Sequence, residues 1–486
     1  MVKDDIKVEL NQDFDDSFVV PLNRSGKFRQ CLATFIVNIS TIILGTVNGW
    51  LAPVQQQLMS DHPPVGRRLD YDEISWVGSI TFMGGMCGIL VWARAADLIG
   101  RKGAGYLIGL PFLISWTMLL TCEKYWLLIL ARFIAGFGGT GVLINTPLYV
   151  GEITSSNLRG PLGSSLILFI NFGYLLSFLF GSVLNYFQFN LFCLSIPIIY
   201  LTLFMFLPET PQYLLLNHQV DEAKKSLLHF NGDNIASMDY EFKLLVASVS
   251  DSQGTQTKIS DLWNKKSTLR ALIIGLTLIT GQQVIGINVL LTYTVAIFSR
   301  AGTSISPNIS SVIVGFTMLV ASAGSCCLIN RLGRKYLLIF TYIGMASCIF
   351  ALAICFLFDK TSWFIQSTYM PLVSFSLAIV FYSLGVGPVP YVLSSEIFPS
   401  SVRNLATSII ITWGIFGSFV TVKLFPAMVG ILGHFATFSI YAVCGVFLSL
   451  YCYLVVPETK NQSIKAVIEL LESTPSNFPS KSRRYI

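Results

Sequence analysis

Two sets of charged side chains occur in this chain in the same order. Asp97-x-x-Gly100-Arg101-Lys102 is followed by Glu152 and Arg159 and then by Pro208-Glu209-Thr210. Asn330-x-x-Gly333-Arg334-Lys335 is followed by Glu396 and Arg403 and then by Pro457-Glu458-Thr459. Carboxylates and guanidiniums could serve proton-transfer catalysis or bidentate ion pairing. Catalysis finds no support, because no acidic pair, Ser/His pair or histidine cluster lies within the apolar stretches, and no enzyme activity is expected. Ion pairing remains. Gly100 and Gly333 allow a tight turn, and the expected networks join Asp97 and Arg101 with Glu152 and Arg159, and Arg334 with Glu396 and Arg403. A third set is uncharged: Gln282, Gln283 and Asn288 each offer amide donors and an acceptor. They come within reach of one cavity if their helix unwinds near Gly281 or Gly286. Taken alone, amides in such a setting are as well explained by bonds between membrane helices.

The elements that must hold these groups are apolar helices. Of the 486 residues 53% are hydrophobic and only 12% charged, and the mean hydropathy is +0.65. A bilayer core takes about 20 apolar residues of helix. Twelve stretches qualify, near 31–53, 74–93, 103–122, 126–150, 162–184, 188–207, 271–298, 309–330, 336–357, 369–394, 405–427 and 431–456. The Gly- and Pro-rich spans near 140 and 387 are expected to bend or break. The fold class is therefore an all-α membrane protein whose twelve transmembrane helices form two pseudo-symmetric six-helix bundles. Duplicated membrane proteins of this kind place their ligand between the repeats near the midplane. Its parts are an N-terminal segment 1–30, bundles at 31–207 and 271–456, a linker at 208–270 and a tail at 457–486. With both termini cytoplasmic, most of the 32 Lys and Arg residues fall on the cytoplasmic side, and both charged sets lie there too.

Several function classes drop out. The net charge of +6 is spread through short loops, so no nucleic-acid partner is expected. Most of the ten cysteines sit within apolar segments and read as small hydrophobes, and no Cys/His spacing suits a metal or other cofactor. Residues 1–30 hold no apolar core, so the first span is expected to act as the targeting signal. The linker repeats apolar and charged residues at helical spacing around 220–225 and 240–245, which predicts amphipathic helices that either tether the bundles or take part in gating.

The two charged sets, together with Arg132-Phe133-x-x-Gly136, Pro147-x-Tyr149-x-x-Glu152, Gln282-Gln283-x-x-Gly286-Ile287-Asn288 and Gly387-Pro388-x-Pro390, resemble the sugar porter family of the major facilitator superfamily. The resemblance covers about 31–470. Stretches such as Asp72–Ser79 and Pro390–Pro399 are most similar to the facilitated trehalose and glucose transporters of insects. The resemblance implies a small-molecule sugar substrate carried by alternating access, with Gln282, Gln283, Asn288, Tyr391 and Trp413 at the sugar. It makes Asp97, Arg101, Glu152, Arg159, Arg334, Glu396 and Arg403 a cytoplasmic gate that holds the halves together when the outside is open. It further implies a monomer in the plasma membrane and places Arg132 near the cytoplasmic loop acids.

The family's pattern fails at four pocket positions. Ile167, Met318 and Ser383 replace polar or acidic residues, and Tyr391 replaces a tryptophan. A less polar pocket follows, which leaves the sugar open. Residues 31–60 contain no Asp, Glu, Lys or Arg, so passive transport is favoured. The alternatives are a proton-coupled sugar symporter and a non-transporting sugar sensor. Lys423, toward the outer end of its span, is expected to snorkel to the interface. Asn308-Ile309-Ser310 is a possible glycosylation sequon.

Overall fold

A computed structural model of the chain describes residues 23–252, 262, 265–303, 305–357, 369–460, 462 and 464–473. The first half crosses as α1 (Arg24–Gly49) with its continuation α2 (Leu51–Leu58), α3 (Tyr71–Leu98), α4 (Gly100–Leu120), α5 (Tyr125–Ile153), α6 (Ser156–Val183) and α7 (Tyr186–Phe204). The starts of α3 and α7 are written locally. Asp70 accepts from Glu73 N at 2.8 Å while Glu73 accepts from Asp70 N, and Asn185 and Gln188 do the same for α7.

The linker folds as α8 (Pro211–Leu216), α9 (Val220–Phe230) and α10 (Ile235–Ser252). Leu214, Leu215, Ala223, Leu227, Phe242 and Val246 bury one apolar face each into a small core of their own. This unit is docked on the first half: Arg29 donates to both carboxylate oxygens of Asp233, at 3.1 and 2.7 Å, and to His229 O at 3.0 Å, while Asn23 Nδ2 donates to Gly232 O. The hydrogen bond from Arg29 holds the Asp233 carboxyl below its ordinary range. A depressed carboxylate contributes above its unfolded pKa and is lost as pH falls through the folded one. Asp233→Ala at neutral pH, or acidification of the wild type, is therefore expected to raise amide exchange across 220–235. Equal protection in mutant and wild type would show that the contact does not hold the linker.

The second half runs α11 (Lys266–Val284), α12 (Ile287–Thr292), α13 (Thr294–Ala301), α14 (Pro307–Leu332), α15 (Arg334–Leu357), α16 (Met370–Phe381), a π-helical turn at Tyr382–Val386, α17 (Val389–Ile397), α18 (Ser400–Val455) and α19 (Ile464–Ser473). At 1.5 Å per residue α18 would be about twice too long for one crossing. Gly433 takes φ 79, ψ 167 and reverses it. The Phe425 and Phe438 rings consequently meet at 6.0 Å, where a straight helix would hold them roughly 20 Å apart. Among the described residues, the eleven apolar helical segments long enough to span thus make twelve crossings.

One expected boundary shifts, one anticipated break is present and one is absent. The first crossing begins at Arg24, and the seventh is broken by Gly286 into α11 and α12. The glycines near 140 do not break α5. Gly136 instead lets α3 approach so closely that a Cβ would lie 1.7 Å from Thr81 O, the close packing small residues permit in membranes. Large side chains such as Leu90, Val183 and Phe447 face outward, where lipid must meet them. The two bundles meet along α3 against α18 and α6 against α14.

Candidate functional site

The two charged sets fold into the same structure. Gly100 and Gly333 both take φ near +84, and a Cβ there would strike a carboxylate of Glu209 or Glu458. Glu209 accepts from the backbone N of Arg101 and Lys102, and Glu458 from those of Arg334 and Lys335, all between 3.0 and 3.2 Å. Each glutamate therefore satisfies the free N–H groups and dipole of a helix start. Arg101 binds Glu152 at 2.8 Å and Asp97 at 3.6 Å, and Arg334 binds Glu396 at 2.7 Å. Thr210 and Thr459 donate to the second oxygens of Glu152 and Glu396. Arg159 and Arg403 stand apart from these pairs. Each donates to the carbonyl that ends the preceding helix, Thr154 O at 3.3 Å and Phe398 O at 3.4 Å.

All of these contacts lie within one half. Among the described residues the ion pair that crosses between the halves is at the opposite end, where Lys423 Nζ meets Asp72 Oδ1 at 2.5 Å and Ser75 Oγ at 2.8 Å. Lys423 also stands 4.5 Å over the Trp76 ring, which itself packs on Phe419. Arg300 donates to the Tyr71 hydroxyl beside it. Lys423 does not snorkel as expected, because partners on the other half lie closer than bulk water. The structure is closed at the end opposite the charged sets.

Near the midplane the break at Gly286 (φ 86) gathers the amides. Gln283 Oε1 accepts from Asn288 Nδ2 at 2.6 Å and from Ser418 Oγ at 3.0 Å, and Asn288 also donates to Ser418. Gln282 Nε2 donates to Tyr382 hydroxyl and Gly387 O, both at 3.2 Å, while its buried Oε1 has no partner. The amides are held by the protein with one acceptor to spare, an arrangement suited to a ligand rich in hydroxyl donors. Tyr391, on α17, is 42% exposed. Ile167 is exposed as well, whereas Met318 and Ser383 are buried and the Ser383 hydroxyl is unpartnered. Tyr382 and Ser418 were not singled out from the sequence. A tyrosine and a serine in an apolar run carry no signal until the π-turn and α18 bring them to the amides.

Two expectations need correction. Trp413 does not join the amides. Its Nε1 donates to Thr280 Oγ1 at 2.8 Å, and it lines an apolar crevice with Leu276, Cys444 and the outward-facing Phe447. Ser418, which meets Gln283, projects from a different side of that helix. Arg132 lies near the start of α5, buried, at the end away from Glu152 and the other loop acids. It donates to Val47 O at 2.7 Å and Val77 O at 3.4 Å and lies over the Trp50 ring. The reason is direction: α5 starts at Tyr125, at the end opposite the charged sets, and reaches Glu152 only in its last turn. Asn308 of the sequon is half-buried in the first turn of α14 with Oδ1 buried, and Ser310 is wholly buried.

The Sugar (and other) transporter family profile matches residues 34–471. The chain is 29% identical over 469 residues to the facilitated trehalose transporter Tret1 of Culex quinquefasciatus, a match over 95% of this chain and 90% of that one. Against the facilitated trehalose transporter Tret1 of Polypedilum vanderplanki the identity is 28% over 443 residues, spanning 90% and 87%. In three dimensions it resembles the inward-open xylose transporter XylE from E. coli with a TM-score of 0.75 at 20% identity, over 90% of this chain and 98% of that chain. That likeness is one of fold.

Proposed function

The chain belongs to the Sugar (and other) transporter family, and on that premise we propose that it carries a sugar passively across a membrane by alternating access, with trehalose and then glucose as leading substrates. The observation that supports a sugar most is the amide group at the Gly286 break, with Gln282 Oε1 unpartnered. The relatives named for trehalose support the choice of substrate. Passive transport is supported by Arg132: among the described residues its guanidinium bonds backbone carbonyls and no carboxylate. A proton carrier in the membrane needs a titratable group there, and the first crossing has none from Cys31 to Ser60. In this reading the chain acts as a monomer in the plasma membrane with both termini cytoplasmic.

The test is uptake of labelled trehalose and glucose into liposomes, with and without a collapsed proton gradient. Saturable uptake indifferent to the gradient is expected. Accumulation that follows the gradient would make the protein a symporter, and no uptake of either sugar would favour a sensor.

The cytoplasmic charged sets act as a gate in this proposal. They pair within each half while the outside is closed, and Arg159 and Arg403 are set to reach across when the inner ends approach. The outer cluster is the opposing gate. Lys423→Ala removes an ion pair and a cation–π contact, about 1–2 kcal/mol together after allowance for the exposed Asp72, and so shifts the population toward outside-open roughly five- to thirtyfold. Spin-label distances between exposed Glu123 and Ser299 should lengthen, and Asp72→Lys with Lys423→Asp should restore them. Unchanged distances would remove Lys423 from the gate.

A further inference from the structure

A cavity of about 700 Å³ lies at the outer mouth, between the halves and apart from the midplane amides. From the first half it takes Gln55 and Tyr71, and from the second Tyr293, Arg300 and Phe425. Its size is that of a small-molecule site. Gln55 is 4% exposed, its Oε1 has no partner, and its Nε2 finds only the Met59 sulfur at 3.9 Å. A buried amide oxygen left in this way is costly unless something donates to it.

The lining selects the donor. Arg68, which pairs with the exposed Asp61 at 3.6 Å, and Arg300 both line the cavity, and among the described residues no carboxylate does, which disfavours an ammonium. A simple inorganic anion suits guanidiniums but brings no hydrogen to Gln55. A hydroxyl group satisfies both, since it donates to the amide oxygen and accepts from arginine. The Tyr293 and Phe425 rings, 5.0 Å apart and 30° inclined, supply a flat apolar wall for ring C–H groups. We propose that this cavity is a second saccharide site, taking a neutral mono- or disaccharide from outside while the outer gate is closed. Because its walls come from both halves and part when the outside opens, a sugar seated there stabilises the outside-closed form by linkage. External sugar at high concentration therefore slows return of the carrier to the outside.

The experiment uses the full chain in lipid nanodiscs and trehalose and glucose as probes, with binding read by saturation-transfer NMR and stoichiometry by equilibrium dialysis. Gln282→Ala/Gln283→Ala removes the midplane contribution. Saccharide binding that persists in this variant, and weakens about tenfold or more when Gln55→Leu is added, is the expected result. Ala296→Trp, which fills the cavity from its wall, should have the same effect and covers the case in which Gln55→Leu fails to fold. Loss of all binding in the midplane variant overturns the second site, as does residual binding indifferent to both outer changes. Should the midplane not be the sugar site, the midplane variant would bind like the wild type while Gln55→Leu still weakened binding, so the two readings fail separately.

Discussion

Gln283→Leu is expected to lower kcat/KM for sugar uptake about a hundredfold while the protein still inserts and folds. The substitution removes the oxygen that holds Asn288 and Ser418 together, and also the Nε2 hydrogens that are not engaged among the described residues. Two or three polar contacts at about 1–1.5 kcal/mol each amount to roughly 3 kcal/mol, or two orders of magnitude. The Leu side chain retains volume, so the loss reports chemistry and not a cavity. Trp413→Phe is the matched control. It faces the outer crevice and gives up one bond to Thr280, so uptake should change by less than about threefold, the scale of a single exposed contact. Equal losses from the two substitutions would mean that Trp413 borders the sugar after all.

The second large effect is on stability. The Arg101 and Glu152 side chains are only 6% and 4% exposed. Glu152→Ala leaves the buried guanidinium with only the exposed Asp97 as counter-charge and is expected to cost about 3 kcal/mol, seen as a fall in the thermal midpoint of detergent-solubilised protein. The Thr210 hydroxyl loses its acceptor at the same time. Glu396→Ala, at the corresponding place in the second half, should cost less because Arg334 and Glu396 are 15% and 26% exposed and water screens them. Arg101→Leu/Glu152→Leu should recover much of the loss, since no unpaired charge remains. If Glu152→Ala leaves the thermal midpoint unchanged but alters spin-label distances between the halves, the pair is a gate alone and not a structural element of the first half.

The duplication also explains why the cytoplasmic sets were legible. Ion pairs, glycine turns and helix starts are local or near-local demands, and each needs a particular residue type. Gly100 and Gly333 must adopt positive φ, and only certain side chains can bind a helix N-terminus. The partners of those helix starts were less visible. Glu209 and Glu458 lie more than a hundred residues from Arg101 and Arg334, and their motifs read as span boundaries until the fold closed the distance.

What the sequence determined by itself is the set of properties that depend on composition and spacing. The length and apolarity of each stretch require membrane helices, the placement of Lys and Arg predicts their orientation, and the repeated motifs define two related halves. The break at Gly286 was among the positions anticipated, because glycine next to amides offers a natural point of unwinding. The tertiary structure alone decided which side of a helix each polar group occupies. Side chains five residues apart on a helix point roughly 140° apart, which is why Trp413 went to the apolar crevice while Ser418 met Gln283. It alone decided that Lys423 binds Asp72 across the halves, since nothing in two stretches some 350 residues apart announces that they touch. The same holds for the outer cavity. Gln55 is unremarkable in an apolar helix, and its bare oxygen has meaning only because Tyr71, Arg300 and Phe425 are brought to face it from both halves.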